Sequence, residues 1–404
     1  MKIMINDYCG HPFQIELSRE LARRGNQVVH TYFVQNNTPK GFVSNHVDDS
    51  TNLKIMPLSI PMVFQKHSIF SRRKSDCLYG LATAQVVDKF CPDVVLSANM
   101  PLDAQAILQK KARQCNASFV YWMQDILSIA IEFVLNRRKI PLSFLAGKWY
   151  KKVESDLLAH SEAIVCIASE FLDVLSAWGI EMSRTSVIEN WAPLNEIYPL
   201  HKPTKWQIEH NIEPSFCFMY SGTLGMKHTP RLLLELARKL GNDPATSLIV
   251  VAEGAGADWL RMHAEHEILP ALRLFPFQPY ERLSEVLASS DILISLLDED
   301  CGSFAVPSKT LSYMCAGRPL LLAGPLQNLA SKIVVRSRSG IAVQNSVEQF
   351  IDAATQMRQS LALLNFYGLS ARHYANENFK INKICDQFES IFEQSLFNKR
   401  RSAL

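Results

Sequence analysis

The chain has 404 residues, 48% of them hydrophobic and 20% charged, which is apolar material for two or three separately packed domains. A net charge of +3 is too small for a nucleic-acid footprint, and the nine cysteines stand singly with no Cys-x-x-Cys pair, which argues against a disulfide framework and a cysteine zinc site. No apolar run reaches the roughly 18 to 20 residues of a membrane span, and the opening MKIMINDYCG lacks a long apolar signal core, so a cytoplasmic chain is expected.

Short β-rich runs alternate with amphipathic helical patterns from the start: KIMI (2–5), QVVHTYF (27–33), DVVLSA (93–98), SFVYWM (118–123), AIVCIA (163–168) and TSVIE (185–189). Such alternation predicts a parallel α/β domain. Residues 192–215 carry Pro193, Pro199, Pro203 and Pro214 among polar residues, the composition of a linker. The pattern then restarts with FCFMYS (216–221), SLIVVA (247–252), LRLFPF (272–277), DILISLL (291–297) and RPLLLAG (318–324). The expected organisation is therefore domains at 1–191 and 216–375, joined by the linker and followed by a helical tail, 376–404, with one apolar face through Ile384, Phe388, Ile391, Phe392 and Leu396.

In each domain the first strand runs into a glycine turn and a helix, where doubly wound sheets hold phosphates. The first turn has Gly10 and His11, with Pro12 at a first helical position and Gly25 as the stop after Arg23 and Arg24. There is no G-x-G-x-x-G, which weakens a nicotinamide-dinucleotide reading. The second, YSGTLGMKHTP, has Gly222 and Gly225, Lys227 to supply a cation, and Thr229 with Pro230 as an expected cap. Further on, PSKTLSYMCAG predicts a short helix from about Pro307 to Gly317 whose first amides, at Ser308, Lys309 and Thr310, form an anion-binding end. The alternative is a helix that only packs Leu311, Met314 and Cys315.

From LRLFPFQPYERLSEVLASSDILISLL through VPSKTLSYMCAGRPLLLAG, the chain resembles retaining glycosyltransferases of the GT-B fold. It is most similar to the bacterial branch that builds colanic acid, O-antigen and related capsular polysaccharides. YWMQD, VIENWAP, YSGTLGMKH and VAEGAGADWL fall in the family's order, so the resemblance covers nearly the whole chain. It implies two Rossmann-like domains facing across a cleft, with the last helix crossing back to the first domain. It also implies a nucleotide-sugar donor on the C-terminal domain, at Gly222, Thr223, Lys227, Glu253, Phe277, Gln278, Ser308, Lys309, Thr310 and Ser312, with Gly10 of the first domain also donor-binding. Asp125, His11 and Lys227 are the implied catalytic residues, with Asp125 on the acceptor side. Phe304 and Ser312 stand where the wider family has two glutamates, so a ribose-binding carboxylate is here a hydroxyl.

Other constellations remain beside this reading. Asp298 and Asp300 follow a strand as a metal-holding Asp-x-Asp would, but lysine and helix amides fit a metal-free reaction, and no metal or cofactor is expected. His263, Glu265, His266 and Glu267 are not an H-E-x-x-H, and neither G-x-S-x-G nor a P-loop occurs. Asp125 could equally cap the helix after its strand. Between Ile126 and Lys152, aliphatic and aromatic residues mix with Arg137, Arg138, Lys139, Lys148, Lys151 and Lys152, a composition suited to anionic headgroups. A lipid-linked saccharide acceptor, which the resemblance implies, would bring the protein to the inner face of the membrane. Two alternatives stay open: a sugar-nucleotide 2-epimerase of the same architecture, and a silent scaffold module.

Overall fold

The computed structural model describes residues 1–36, 40–62, 69–98, 100–137, 143–212, 216–241, 243, 245–297 and 308–402. The chain forms two compact units, residues 1–189 with 381–404, and residues 190–380. In the first unit the order is β1 (Lys2–Asp7), α1 (Pro12–Arg23), β2 (Gln27–Phe33), β3 (Leu53–Leu58), α2 (Ile69–Phe90), β4 (Val94–Ala98), α3 (Leu102–Gln114), β5 (Ser118–Met123), α4 (Leu127–Arg137), α5 (Ser143–Ala159), β6 (Ala163–Cys166), α6 (Glu170–Ala177) and β7 (Thr185–Val187). The sheet runs β3-β2-β1-β4-β5-β6-β7, every pair parallel. Its inner strands β1, β4, β5 and β6 are buried almost throughout, on both faces, because helices cover both sides.

The second unit continues with α7 (Lys205–Glu209), β8 (Phe216–Ser221), α8 (Arg231–Leu240), β9 (Thr246–Val251), α9 (Ala255–His266), β10 (Leu272–Phe275), α10 (Leu283–Ala288), β11 (Ile292–Leu296), α11 (Ser308–Cys315), β12 (Leu320–Ala323), α12 (Leu329–Arg336), β13 (Gly340–Val343), α13 (Val347–Arg358) and α14 (Leu361–Asn378). Its sheet is also parallel, ordered β10-β9-β8-β11-β12-β13. The last helix, α15 (Ile381–Ser402), belongs to the first unit. Phe388 stacks edge-on against Trp122 of β5 at 4.9 Å, Ser118 Oγ donates to Ser395 Oγ at 2.8 Å, and Arg24 pairs with Asp386 and Glu389 at 2.6 and 2.7 Å.

Two strands lie outside the sequence reading. β3 is an edge strand whose Lys54 and Pro57 interrupt its apolar run, and proline is tolerated there because one side of an edge needs no ladder donor. β13 is the opposite edge and only four residues long. The proline-rich segment read as a linker packs onto the second unit. Trp206 is fully buried with its Nε1–H on Gln278 Oε1 at 2.9 Å, Thr204 and Gln207 form a capping box at the head of α7, and Lys202 pairs with Asp291 at 2.6 Å.

Candidate functional site

In the second unit β8 lies between β9 and β11, so its carboxyl end is where strand order reverses and where open α/β sheets leave a crevice. The turn after β8 begins with Gly222 at φ +125, a backbone conformation that side chains resist, and a Cβ there would come within 2.7 Å of Lys309 Cε. The turn is pinned from below: Gly222 N donates to Val251 O and Leu224 N to Glu253 O, both at 2.9 Å. Tyr220 Oη donates to Thr223 O at 2.7 Å.

Lys309, the second residue of α11, lies across this turn. Its ammonium sits 4.3 Å from the centre of the Tyr220 ring and donates to Thr223 O at 2.8 Å and to Tyr220 Oη. Neither Lys309 nor Lys227 takes part in an ion pair among the described residues. Burial, with the Lys227 charge adding to it, lowers the Lys309 pKa to about 7. His228 Nδ1 accepts from Gly225 N at 2.9 Å, which leaves the ring proton on Nε2. Burial, then the charges of Lys309 and Lys227, push the His228 pKa down to about 3, so the ring is a neutral donor.

The start of α11 is fixed to the same strand end. Tyr313 Oη donates to Ser221 O at 2.9 Å and accepts from Ser221 N at 3.0 Å. Thr310 turns its buried hydroxyl inward to Ser295 at 3.2 Å, so what it can offer a ligand is its amide. Ser308 is exposed and Ser312 half-buried. Two lysines with no carboxylate partner among the described residues, a neutral imidazole N–H and a helix start make a setting for a multiply charged anion.

The remaining donor-side residues are spread along the sheet. Glu253, after β9, is exposed, and its backbone carbonyl holds the Gly222 turn. Phe277 and Gln278 follow β10, one strand further out. Both are half-buried, and the Gln278 side chain is held by Trp206 and donates to Pro276 O at 3.1 Å. Thr229 is not a cap: it is left-handed at φ 48, and the residue capping α8 is Pro230, without a side-chain bond. Asp298, Asp300 and Phe304 lie outside the described residues. In the stretch 263–267 at the end of α9, His263 Nδ1 bonds Trp259 O at 2.9 Å and Glu267, just past the helix, pairs with Arg238, so two of the four side chains are already engaged.

In the first unit the equivalent switch point is the end of β1, between β2 and β4. Gly10 there has φ +78, and a Cβ would press on the Lys40 side chain at 3.0 Å. His11 is the cap residue of α1, stacks on Phe13 at 5.4 Å, and has its pKa lowered to about 4 by burial. Asp125 follows β5, two strands from β1, and is half-buried. The first amides of α4, Leu127 N and Ser128 N, go instead to Glu154 of α5 at 3.0 and 2.8 Å. That fully buried carboxylate, its pKa raised by burial, is the partner that these α4 amides use.

No family model matches the sequence, and no curated protein does. Solved structures match across the whole chain. Sucrose-phosphate synthase of Thermosynechococcus elongatus has a TM-score of 0.73 at 13% identity, with 98% of each chain covered. HepE of Anabaena, in complex with UDP and glucose, has 0.69 at 14% identity, covering 97% of this chain and 99% of that one. The fold is GT-B. A structure described as a UDP-N-acetylglucosamine 2-epimerase from Listeria monocytogenes has the same architecture, at TM-score 0.62 and 12% identity, covering 98% of this chain and 97% of that one. At such identities the common property is the GT-B fold itself.

Of the residues named from the sequence, Lys227, Lys309 and the Gly222 turn come together at the end of β8, and the Gly10 turn lies at the end of β1. Tyr220, Tyr313 and His228, which the sequence reading did not name, are part of the first of these arrangements. Tyr220 reads as one more aromatic strand residue and Tyr313 as helix core. His228, directly after Lys227 in the quoted turn, was the one with a usable signal.

Proposed function

We propose that the chain is a glycosyltransferase that moves a sugar, with retention, from a nucleoside-diphosphate sugar to a lipid-linked saccharide in cell-surface polysaccharide assembly. The observation that carries the donor half is the Lys309 ammonium, lodged over the Gly222 turn with a phenol and a carbonyl as its hydrogen-bond partners among the described residues. An amine so placed is poorly solvated until an anion arrives. As the sugar leaves, negative charge grows on the diphosphate. Lys309, Lys227, the His228 Nε2–H and the α11 amides are fixed donors for that charge, which is where preorganised electrostatics lower a barrier most. Cationic side chains take the role a divalent ion would otherwise fill, so the proposal needs no metal. On the acceptor side, Asp125 and neutral His11 would position the attacking hydroxyl.

The membrane half of the proposal rests on α5. Phe144, Leu145 and Trp149 are exposed there at 51, 50 and 42%. Lys148, Lys151 and Lys152 are exposed beside them, at spacings that fall on one helix face. Apolar side chains flanked by lysines suit a surface resting on anionic lipid. No helix among the described residues is long and apolar enough to cross a membrane. Arg138 and Lys139, part of the same expectation, lie outside the described residues.

The test is incubation of the pure protein with labelled nucleotide-sugars and a membrane lipid extract. Label passing into the organic phase supports the proposal. Release of a free 2-epimer selects the epimerase, and an untouched donor selects the silent module that Phe304 and Ser312 prompted.

A further inference from the structure

Beneath the Gly10 turn lies a buried polar chain that the donor site does not use. Asp7, the last residue of β1, is fully buried, and its Oδ1 accepts from Cys9 N at 3.1 Å and Gly10 N at 2.8 Å, which folds the turn back over the strand end. Its Oδ2 has no hydrogen-bond partner among the described residues. Facing it at 3.9 Å is Nε2 of His30, on the neighbouring strand β2, equally buried and equally without a partner. The other ring nitrogen, Nδ1, is 2.8 Å from Ser18 Oγ, and that hydroxyl lies 3.1 Å from Gln14 O in the first turns of α1.

Counting protons decides what this chain holds. If the Ser18 hydroxyl donates to Gln14 O, then His30 Nδ1 carries the ring proton and donates to Ser18 Oγ. Nε2 then presents a lone pair to Oδ2, and two acceptors face each other unless one more proton lies between them. If that proton leaves to solvent, the ring proton must move to Nε2 to face the carboxylate. Ser18 then turns its hydroxyl from Gln14 O to Nδ1. We propose that Asp7 carries one exchangeable proton on the side facing His30, and that its loss resets Ser18 and the turn carrying Gly10 and His11, making Asp7 a pH-sensitive positioning residue.

The surrounding charges are few. Lys40 faces Asp7 and favours ionisation; Arg19 of α1 faces His30 and disfavours an imidazolium. From α2 the buried Tyr79 phenol is close to Asp7, and from the turn itself Cys9. Burial outweighs the backbone amides of Gly10, Cys9 and His11 and the charge of Lys40, and raises the Asp7 pKa to about 7, while burial lowers that of His30 to about 3. Both directions favour a neutral carboxyl beside a neutral imidazole over an ion pair.

The test is a pH titration of the full-length protein with ¹⁵N-histidine, the His30 signals being assigned by their loss in His30→Gln. Between about pH 5.5 and about pH 9 the His30 ring should pass from the Nδ1–H to the Nε2–H tautomer without a charged intermediate. The Gly10 amide should shift with the same midpoint. Asp7→Asn keeps the two amide bonds through its carbonyl and supplies a fixed N–H to Nε2, so His30 should stay Nδ1–H throughout. A wild-type His30 that keeps one tautomer over the whole range overturns the proposal without any variant, and so does an unchanged titration in Asp7→Asn. The readout needs no substrate, so its failure and a failure of the transferase reading are distinguishable.

Discussion

Replacing Lys309 by methionine should make the empty protein more stable and the donor site useless. The structure gives the size of the first effect. A lysine held at a pKa of about 7 instead of 10.5 corresponds to roughly 4 to 5 kcal/mol of unfavourable charge burial. Methionine keeps the chain length over Gly222 but gives up the bonds to Tyr220 and Thr223, about 1 kcal/mol each. The net gain is about 2 to 3 kcal/mol, or about 5 to 10 °C in Tm for a domain of this size. The sign with pH follows from linkage. Below pH 7 both folded and unfolded lysine are charged and the full penalty is present; between 7 and 10.5 only the unfolded lysine binds the proton, so wild-type stability rises. The advantage of Lys309→Met should therefore be largest at and below neutral pH and fade towards about pH 10.5. Thermal unfolding of both proteins across that range, with UDP titration calorimetry, measures both effects. Loss of a charge-assisted bond to the diphosphate should weaken UDP by about 30- to 100-fold. A variant that melts below wild type at neutral pH and binds UDP normally would refute the reasoning.

Lys227→Ala should leave the fold intact, since its side chain is exposed and in no ion pair among the described residues, and should lower kcat/KM on the order of 10²-fold in a transfer assay. Ser312→Glu should tighten nucleotide binding by roughly 1 to 2 kcal/mol if its side chain reaches the ribose, as calorimetry would show. Changing Lys148, Lys151 and Lys152 together to Glu should reduce co-sedimentation with anionic but not neutral vesicles, each lysine contributing about 1 kcal/mol that salt removes. Turnover should survive EDTA; loss in chelator with rescue by Mg²⁺ or Mn²⁺ would move the weight to Asp298 and Asp300.

The alternation of strands and helices was readable because inner strands of a parallel sheet are buried on both faces and leave unbroken runs such as SFVYWM and AIVC. Edges escape that rule, which is why β3 with Pro57 and the short β13 went unread. The prolines of 192–215 suggested a linker, and only tertiary contacts such as those of Trp206 with Gln278 and Lys202 with Asp291 show the segment to be packed. Within the site, Lys309 was legible as a helix-end amide, but not as a side chain lying over Gly222, because 87 residues of chain separate the two and no local pattern records their approach. Asp7 and His30 are diagonal neighbours across the β1–β2 pair, His30 being in register with Ile5, and Glu154 reaches the start of α4 from a different helix. Spacing rules carry no trace of either.

The central claim is that the Gly222 turn and the start of α11 receive a nucleoside diphosphate. A structure of the protein with UDP tests it most directly. The account predicts the diphosphate on the Ser308 and Lys309 amides, with the Lys309 ammonium turned from Tyr220 and Thr223 onto a phosphate oxygen. A diphosphate bound elsewhere, with Lys309 still on Tyr220, would contradict it.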